Sequence, residues 1–471
     1  MINDKYKLKK DEILSTVLSI VGMFICICGI SYLFHIMGKD LSWGRIAGFF
    51  GIIALLVAVF GIYLVFADVE ILRDKKKLVA MCVLMALSLA VYMAIQKFFS
   101  PFAVPYAFCA LICGLVISRK SGFISSLIVV LIMFCSQTFF SGLAPNDYVT
   151  LCVGICSTIL ASYTLSRQTK RIRYIGVAFI LALLTCLMTC IILFVSAEEA
   201  DYLNAVVYSL LSGFISVALF MLVVPVLDSV FNFVTDFRLA ELTSTDAPLI
   251  KKLFKEAPGT FNHCLSVSNY TEACASAIGA NTYLARAAAL YHDIGKMKNP
   301  QYFTENQLDG HNPHDEITPE LSTAIIKKHV SNGVLMVKEN HLPQLFTTFI
   351  TEHHGTMPIQ FFYSKAQKYT DGTLEDTGFR YDGPTPSNKI SAILMICDAS
   401  EATLRALNVE TREQAEQIVG NIINERLIKY GQFDNCDITM QELNVIKQTI
   451  VTVYLGVCHK RITYPGQQKN K

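Results

Sequence analysis

Eight stretches of the chain lack Asp, Glu, Lys and Arg over about the ~20 residues that a membrane-crossing helix needs. They run Ile13–Gly38, Ile46–Ala67, Leu78–Gln96, Phe98–Ser118, Ser121–Asn146, Tyr148–Ser166, Tyr174–Ala197 and Tyr202–Leu227. The first is too long for a signal-peptide apolar core and is read as a retained helix. In the fourth, Pro101 and Pro105 shorten the helical part. After Leu227 the pattern changes. Leu265, Val267, Tyr270, Ala273/Cys274 and Ala277/Ile278 recur at helical spacing and stop at Gly279. Further helices are predicted from Thr282 to about Asp293, over Pro319–His329 and Leu342–His354, and from Lys389 to about Leu407. Two or three more fill the tail. A connector helix, Arg238–Phe254, is interrupted at Thr243–Asp246 and Pro248. Strand signals are few. The predicted fold class is all-α, with a polytopic helical membrane domain of about eight spans, one plus seven, ahead of a second α-helical domain.

Composition gives the two halves different characters. The chain is 53% hydrophobic and 17% charged, where a soluble domain carries about 25% charged residues. That excludes disorder and argues against one soluble globule. Before Asp228 there are 17 Lys and Arg against 11 Asp and Glu; from there on there are 23 against 27. With the N-terminus inside, the inner segments hold Lys5, Lys7, Lys9, Lys10, Arg73, Lys75, Lys76, Lys77, Arg119, Lys120, Arg167, Lys170, Arg171 and Arg173. The outer loops hold only Lys39, Arg45 and Lys97, and the last of them is acidic (Glu198, Glu199, Asp201). The positive-inside rule therefore places everything after Leu227 in the cytoplasm. No charge lies mid-span, and His35 sits near an outer end, so this half reads as an anchor or sensor rather than a transporter. The boundaries that follow are 1–45 for the leading helix and short loop, 46–227 for the remaining spans, 228–258 for a connector, 259–410 for the cytoplasmic domain and 411–471 for its helical extension. Of 15 cysteines, ten fall in the apolar half and none forms a C-x-x-C pair. They read as small helix-packing residues in a reducing interior.

Nine of the ten histidines follow Leu227. His263, His292-Asp293 in Y-H-D-I-G-K, His329, His353-His354 in E-H-H-G, and Asp398 in L-M-I-C-D-A-S-E fall where helices are short or ending. Adjacent helical positions lie about 100° apart, so both members of a pair reach one cleft only where it wraps a helix end. Asp398, set among Ile393, Leu394, Ile396 and Cys397, needs a partner or a metal. His311, His314, His341 and His459 carry no such pattern, although His314 in H-N-P-H-D is placed to approach a substrate.

The ordered set H … H-D … H … H-H … D resembles the HD-domain metal-dependent phosphohydrolases. E-A-P-G-T-F-N-H, I-G-A-N-x-x-L-A-R-A-A-A-L-Y-H-D-I-G-K-M, N-P-H-D-E-I-T-P, E-H-H-G-T and the terminal R-I-T-Y-P narrow the likeness. They resemble the seven-transmembrane HD proteins, the PgpH-type cyclic di-AMP phosphodiesterases of the bacterial inner membrane. That family typically inserts a large extracellular domain after its first span; here only Lys39 to Arg45 occupies that place.

The resemblance implies a site. One metal would take His263, His292, Asp293 and Asp398, and a second would take His329, His353, His354 and a bridging oxygen of Asp293. N and O donors without Cys favour Mn or Fe over structural Zn. Asp293 and Lys296 would be the catalytic pair, with Lys296 and His314 as substrate contacts; alternatively Lys296 answers a helix dipole. The implied substrate is cyclic di-AMP, opened to 5′-pApA, and the implied partners are the bilayer and a second copy meeting through the tail helices. The nearest rival is a cyclic di-GMP enzyme with a G-Y-P element after its paired histidines, where this chain reads H-H-G-T-M-P. An RNA nuclease would need a basic face or an RNA-binding companion module, and a net −4 half supplies neither. A receptor with a degenerate site would lack ligands, and all seven are present.

Overall fold

The computed structural model describes residues 10–36, 41–141, 145–164, 171–196, 201–307, 310–369 and 374–457. Lys5, Lys7, Lys9, Lys39, Arg167, Lys170, Glu198, Glu199, Cys458, His459 and the terminal Arg461–Pro465 lie outside the described residues, as does the side chain of His35. The chain divides into two units, Met1–Thr235 and Asp236–Lys471.

Among the described residues of the first unit, seven helices are long and apolar enough to cross a membrane: Glu12–Phe34, Trp43–Ala67, Lys75–Phe98, Arg119–Phe140, Asp147–Thr164, Ile172–Val195 and Tyr202–Phe231. The expected eighth, Phe98–Ser118, is not a spanning helix. It forms a 3-10 turn, Pro101–Ala103, and a ten-residue helix, Ala107–Val116. The two prolines lack the amide hydrogens a longer helix would use, and ten residues rise only about 15 Å. Its two ends nevertheless lie at opposite ends of the bundle. At one, Lys97 Nζ donates to the Phe34 carbonyl (3.4 Å) and Phe98 packs on Phe34. At the other, the Ser118 and Ser121 hydroxyls donate to Asp68 Oδ2 (3.1 and 2.6 Å), just past the end of Trp43–Ala67. Within the segment the Tyr92 hydroxyl donates to the Tyr106 carbonyl (2.9 Å) and accepts from the Cys109 amide (3.1 Å). Residues 103–113 are all buried, the condition under which non-helical backbone is tolerated at membrane depth. Small residues bring helices close: a Cβ on Gly122 would strike the Gly114 backbone, and one on Gly213 the Ala182 backbone.

The second unit is helical too, and among the described residues no strand forms beyond an isolated bridge between Pro358 and Arg380. The connector breaks as its sequence implied, into Asp236–Leu242 and Pro248–Glu256. Pro258–Ala277, Thr282–Tyr291, Pro319–Glu339, Leu345–Glu352, Gln360–Gln367, Lys389–Ala406, Arg412–Asn424 and Met440–Val457 follow. Polar caps start several of them: Asn281 for Leu284, Thr318 for Leu321, Asn388 for Ile390 and Ser391, and Thr411 for Gln414. Lys389–Ala406 is the central helix, with Ile393, Leu394, Ile396 and Cys397 fully buried. One expectation needs correcting, and one helix was not foreseen. The third helix does not stop at His329 but continues ten residues to Glu339, through a Gly333 whose bare backbone another segment uses. Gln360–Gln367 had no periodic signal long enough to announce it. Every described cysteine is free.

Candidate metal centre

The His263 helix begins at Pro258, so its first amides have no partner within the helix. Asn306 Oδ1 accepts from the Gly259 and Thr260 amides (2.9 and 3.2 Å). A Cβ on Gly259 would collide with the Glu305 backbone, which explains the glycine of E-A-P-G-T. This contact brings Phe303, Thr304 and Glu305 over the helix start. His292 caps Thr282–Tyr291, and Asp293 leaves helical geometry (φ −109°) to start the 3-10 turn Ile294–Lys298. That turn lies backbone to backbone on Pro319–Glu339. A Cβ on Gly295 would overlap the His329 carbonyl and crowd the Gly333 amide. The close approach sets His329, in mid-helix, beside Asp293. His353 and His354 follow the end of Leu345–Glu352, where Glu352 accepts from the Ser387 amide (3.0 Å) and ties the loop down.

Three ring orientations are fixed by backbone. His292, His329 and His353 each donate Nδ1–H to the carbonyl three residues earlier, Ala289 (2.7 Å), Ile326 (2.6 Å) and Ile350 (2.8 Å). A carbonyl only accepts, so each Nε2 is left to face inward. His263 is held instead by a carboxylate, with Nδ1 2.7 Å from Glu401 Oε2 and Nε2 2.9 Å from Asp398 Oδ1. His354 stacks on Tyr381, the ring centroids 4.1 Å apart. Asp293 is the hub. Its Oδ2 lies 3.1 Å from His292 Nε2, and its Oδ1 lies 3.4 and 3.7 Å from the Nε2 atoms of His329 and His353.

Four ligand atoms of His263, His292, Asp293 and Asp398 lie within 4.8 Å of one another, as do four of Asp293, His329, His353 and His354. The His329 and His353 Nε2 atoms face each other at 3.3 Å. With both Nδ1 protons committed elsewhere, that is lone pair against lone pair. His292 Nε2 and Asp293 Oδ1 are buried without a hydrogen-bond partner. Burial and the ring of His292 push His353 down to about 3, and burial with the His353 ring holds His354 well below the imidazole range. Burial would raise Asp293, but Lys296 and His292 hold it well below the carboxylate range. The bare imidazoles of His329, His353 and His354 beside an ionised, orphaned carboxylate form a donor set that fits a divalent cation.

Above the cluster opens a cleft of about 460 Å³, walled by His263, His329, His354, Asp398, Lys296 and Tyr381. Lys296 Nζ pairs with Asp293 Oδ2 (2.8 Å) and Glu305 Oε1 (3.0 Å) over the Phe303 ring. Burial would lower its pKa, and the two carboxylates raise it well above the ordinary value. His314 lies away from the cleft wall. It is buried, its Nε2 donates to the Tyr302 carbonyl (2.9 Å), and its ring packs on Tyr302 and Phe362. His311 and His341 are exposed. Sequence reasoning missed Glu305, Tyr381, Glu401 and Arg405. Of these Glu401 and Arg405 left a trace, three and seven residues after Asp398 and so on the same helical face.

This fold and this ordered cluster of residues are those of an HD domain. Residues 43–235 match the family model described as a 7TM receptor with intracellular HD hydrolase, and residues 260–403 match that of the HD domain. The chain belongs to the seven-transmembrane HD-domain family. It is 42% identical over 270 residues to cyclic-di-AMP phosphodiesterase PgpH of Listeria monocytogenes, covering 57% of this chain and 37% of that protein. It is 40% identical over 258 residues to PgpH of Bacillus subtilis, covering 55% and 36%. The chain thus spans little more than a third of the length of these relatives. A crystal structure of the L. monocytogenes PgpH HD domain in complex with cyclic-di-AMP shares 44% identity, with a TM-score of 0.43, over 46% of this chain and all of that one.

Proposed function

We propose that this chain is a membrane-anchored di-metal phosphodiesterase that opens cyclic di-AMP to linear 5′-pApA on the cytoplasmic side of a bacterial inner membrane. The observation that carries the reading is the pair of four-residue ligand groups sharing Asp293. The two PgpH relatives support the choice of nucleotide. His263, His292 and Asp398 would hold one ion, His329, His353 and His354 the other, and Asp293 would lend a carboxylate oxygen to each. The all-N/O donor set suits Mn or Fe. Bound there, two such ions supply Lewis acidity at the phosphoryl group and lower the pKa of the attacking water. The chain's own residues do the rest. The i−3 carbonyls and Glu401 keep five-membered rings aimed at Asp293 and Asp398. Lys296 keeps Asp293 ionised and has a third N–H to donate to a phosphoryl oxygen, where its charge opposes the charge that develops in the transition state.

The test uses the full chain in lipid nanodiscs, stripped with chelator and reloaded with Mn²⁺ or Fe²⁺. Cyclic di-AMP and cyclic di-GMP are supplied and the products separated by chromatography. The expected result is metal-dependent release of linear 5′-pApA and its loss in Asp293→Ala. Unaltered turnover in that variant would remove the di-metal assignment. Faster opening of cyclic di-GMP would overturn the nucleotide while keeping the site.

A further inference from the structure

We propose that Arg405 is the anchor for the second phosphodiester of the substrate, the one that is not being cut. The inference rests on reading the substrate as a cyclic dinucleotide. The helix Lys389–Ala406 forms one wall of the cleft, where Asp398, Glu401 and Arg405 follow one another in steps of three and four, with Ala402 and Ala406 on the same wall. Such steps keep side chains on one helical face, and seven residues place Arg405 about 10 Å along the axis from Asp398. The two alanines put nothing larger than a methyl group on the wall beside it, which leaves room for a nucleoside.

The charges point the same way. Among the described residues that line the cleft, the lysines and arginines are Lys296 and Arg405. Lys296 sits between two carboxylates at 2.8 and 3.0 Å. Arg405 has a looser hold: its Nη1 lies 3.5 Å from Glu401 Oε1, and its side chain is 61% exposed. Glu401 gives its other oxygen to His263 at 2.7 Å. The guanidinium is therefore free to turn its planar fork to a phosphate, the geometry it suits best. The cluster and Lys296 engage one phosphodiester. A cyclic dinucleotide carries a second across its ring, one nucleoside away, and Arg405 is the cation set off from the cluster along the wall.

The test compares the full chain with Arg405→Gln and Arg405→Lys in nanodiscs, metal-loaded, on cyclic di-AMP and on bis(p-nitrophenyl) phosphate, a diester with one phosphate. Loss of a charge-assisted contact predicts a KM for cyclic di-AMP raised by about tenfold or more in Arg405→Gln, with Arg405→Lys between it and the parent. The ratio of kcat/KM on cyclic di-AMP to that on the simple diester falls by the same factor, and cyclic di-AMP binding to the metal-stripped chain weakens in parallel. An unchanged ratio overturns the proposal, including the case where both substrates suffer alike because the variant is merely less well folded. A parent chain that cleaves the simple diester but opens no cyclic dinucleotide overturns the functional reading itself, a different result from an active parent with an unchanged ratio.

Discussion

Glu401 Oε2 stands 2.7 Å from His263 Nδ1, with both side chains buried. The Nε2 of the same ring is 2.9 Å from Asp398. One helix thus grips the histidine at both nitrogens, with a cluster carboxylate on one side and, a turn later, an orienting carboxylate on the other. Burial alone would lower the pKa of His263, but the Asp398 and Glu401 contacts push it up to about 10. His292, His329 and His353 rely on neutral carbonyls for the same purpose, so the charged hold on His263 is a distinct feature of the site. Outer carboxylates of this kind orient a ligand ring and raise its basicity.

Glu401→Ala is accordingly expected to weaken metal retention by about 10- to 100-fold. Glu401→Gln, which keeps an acceptor but loses the charge, should lie between Ala and the parent. Metal content after dialysis against graded chelator reads the effect without using turnover. Equal retention in all three proteins would show that Glu401 does not support His263.

The glycine of H-D-I-G-K has a packing role that a chain-end or dipole argument does not reveal. Gly295 meets the His329 carbonyl and Gly333 amide with no space for a Cβ. Gly295→Ala should therefore separate the Asp293 turn from the His329 helix, cost about 1–3 kcal/mol or more, and abolish turnover. Gly333→Ala meets mainly the Ile350 side-chain methyl, which can rotate, so its cost should be smaller. Thermal unfolding of the two variants gives the comparison, and the reverse order would contradict the contact.

Metal removal should also register as stability. The facing His329 and His353 nitrogens, with the orphaned Asp293 and His292 atoms, cost the metal-free fold buried polar groups without partners. An ion present at about 100 times its Kd adds about 2.7 kcal/mol. For a unit of roughly 200 residues this is a rise of about 5–10 °C in Tm. Calorimetry with and without chelator should show the shift in the parent and its loss in His329→Ala. A parent Tm indifferent to chelator would argue against a metal at this cluster.

Much of this was legible before any coordinates. The seven cluster residues stood out because four of them, His292, Asp293, His353 and His354, fall at helix ends, and because the order of all seven matched a known series. His329 matched the series too, yet its helix runs ten residues past the end the sequence pattern suggests, to Glu339. Glu305 and Tyr381 sit in 3-10 and irregular segments whose placement depends on distant contacts, such as Asn306 on the Gly259 amide. His314 shows the converse. Its H-N-P-H-D setting looked chemical, and its ring packs between Tyr302 and Phe362. In the membrane half, hydropathy found eight apolar stretches, but it could not show that one of them crosses with only ten helical residues.

That short segment decides where the second unit lies, and it can be tested directly. Asp68, Ser118 and Ser121 cluster at the end of the bundle that carries Arg73, Lys75–Lys77, Arg119 and Lys120; Phe34 and Lys97 meet at the other. The positive-inside rule predicts that the basic end faces the cytoplasm. In a bacterial host, alkaline phosphatase fused after Lys97 should therefore be active, while green fluorescent protein fused after Lys120, and again after Asp236, should fluoresce. Asp68→Ala should leave two hydroxyls without their acceptor and lower bundle stability by about 1–3 kcal/mol. Phosphatase activity after Lys120 would mean that Phe98–Ser118 enters and leaves on one side. Seven crossings from an inner N-terminus would then deliver the HD unit outside, away from any cytoplasmic nucleotide, and the proposed function would fail on topology alone.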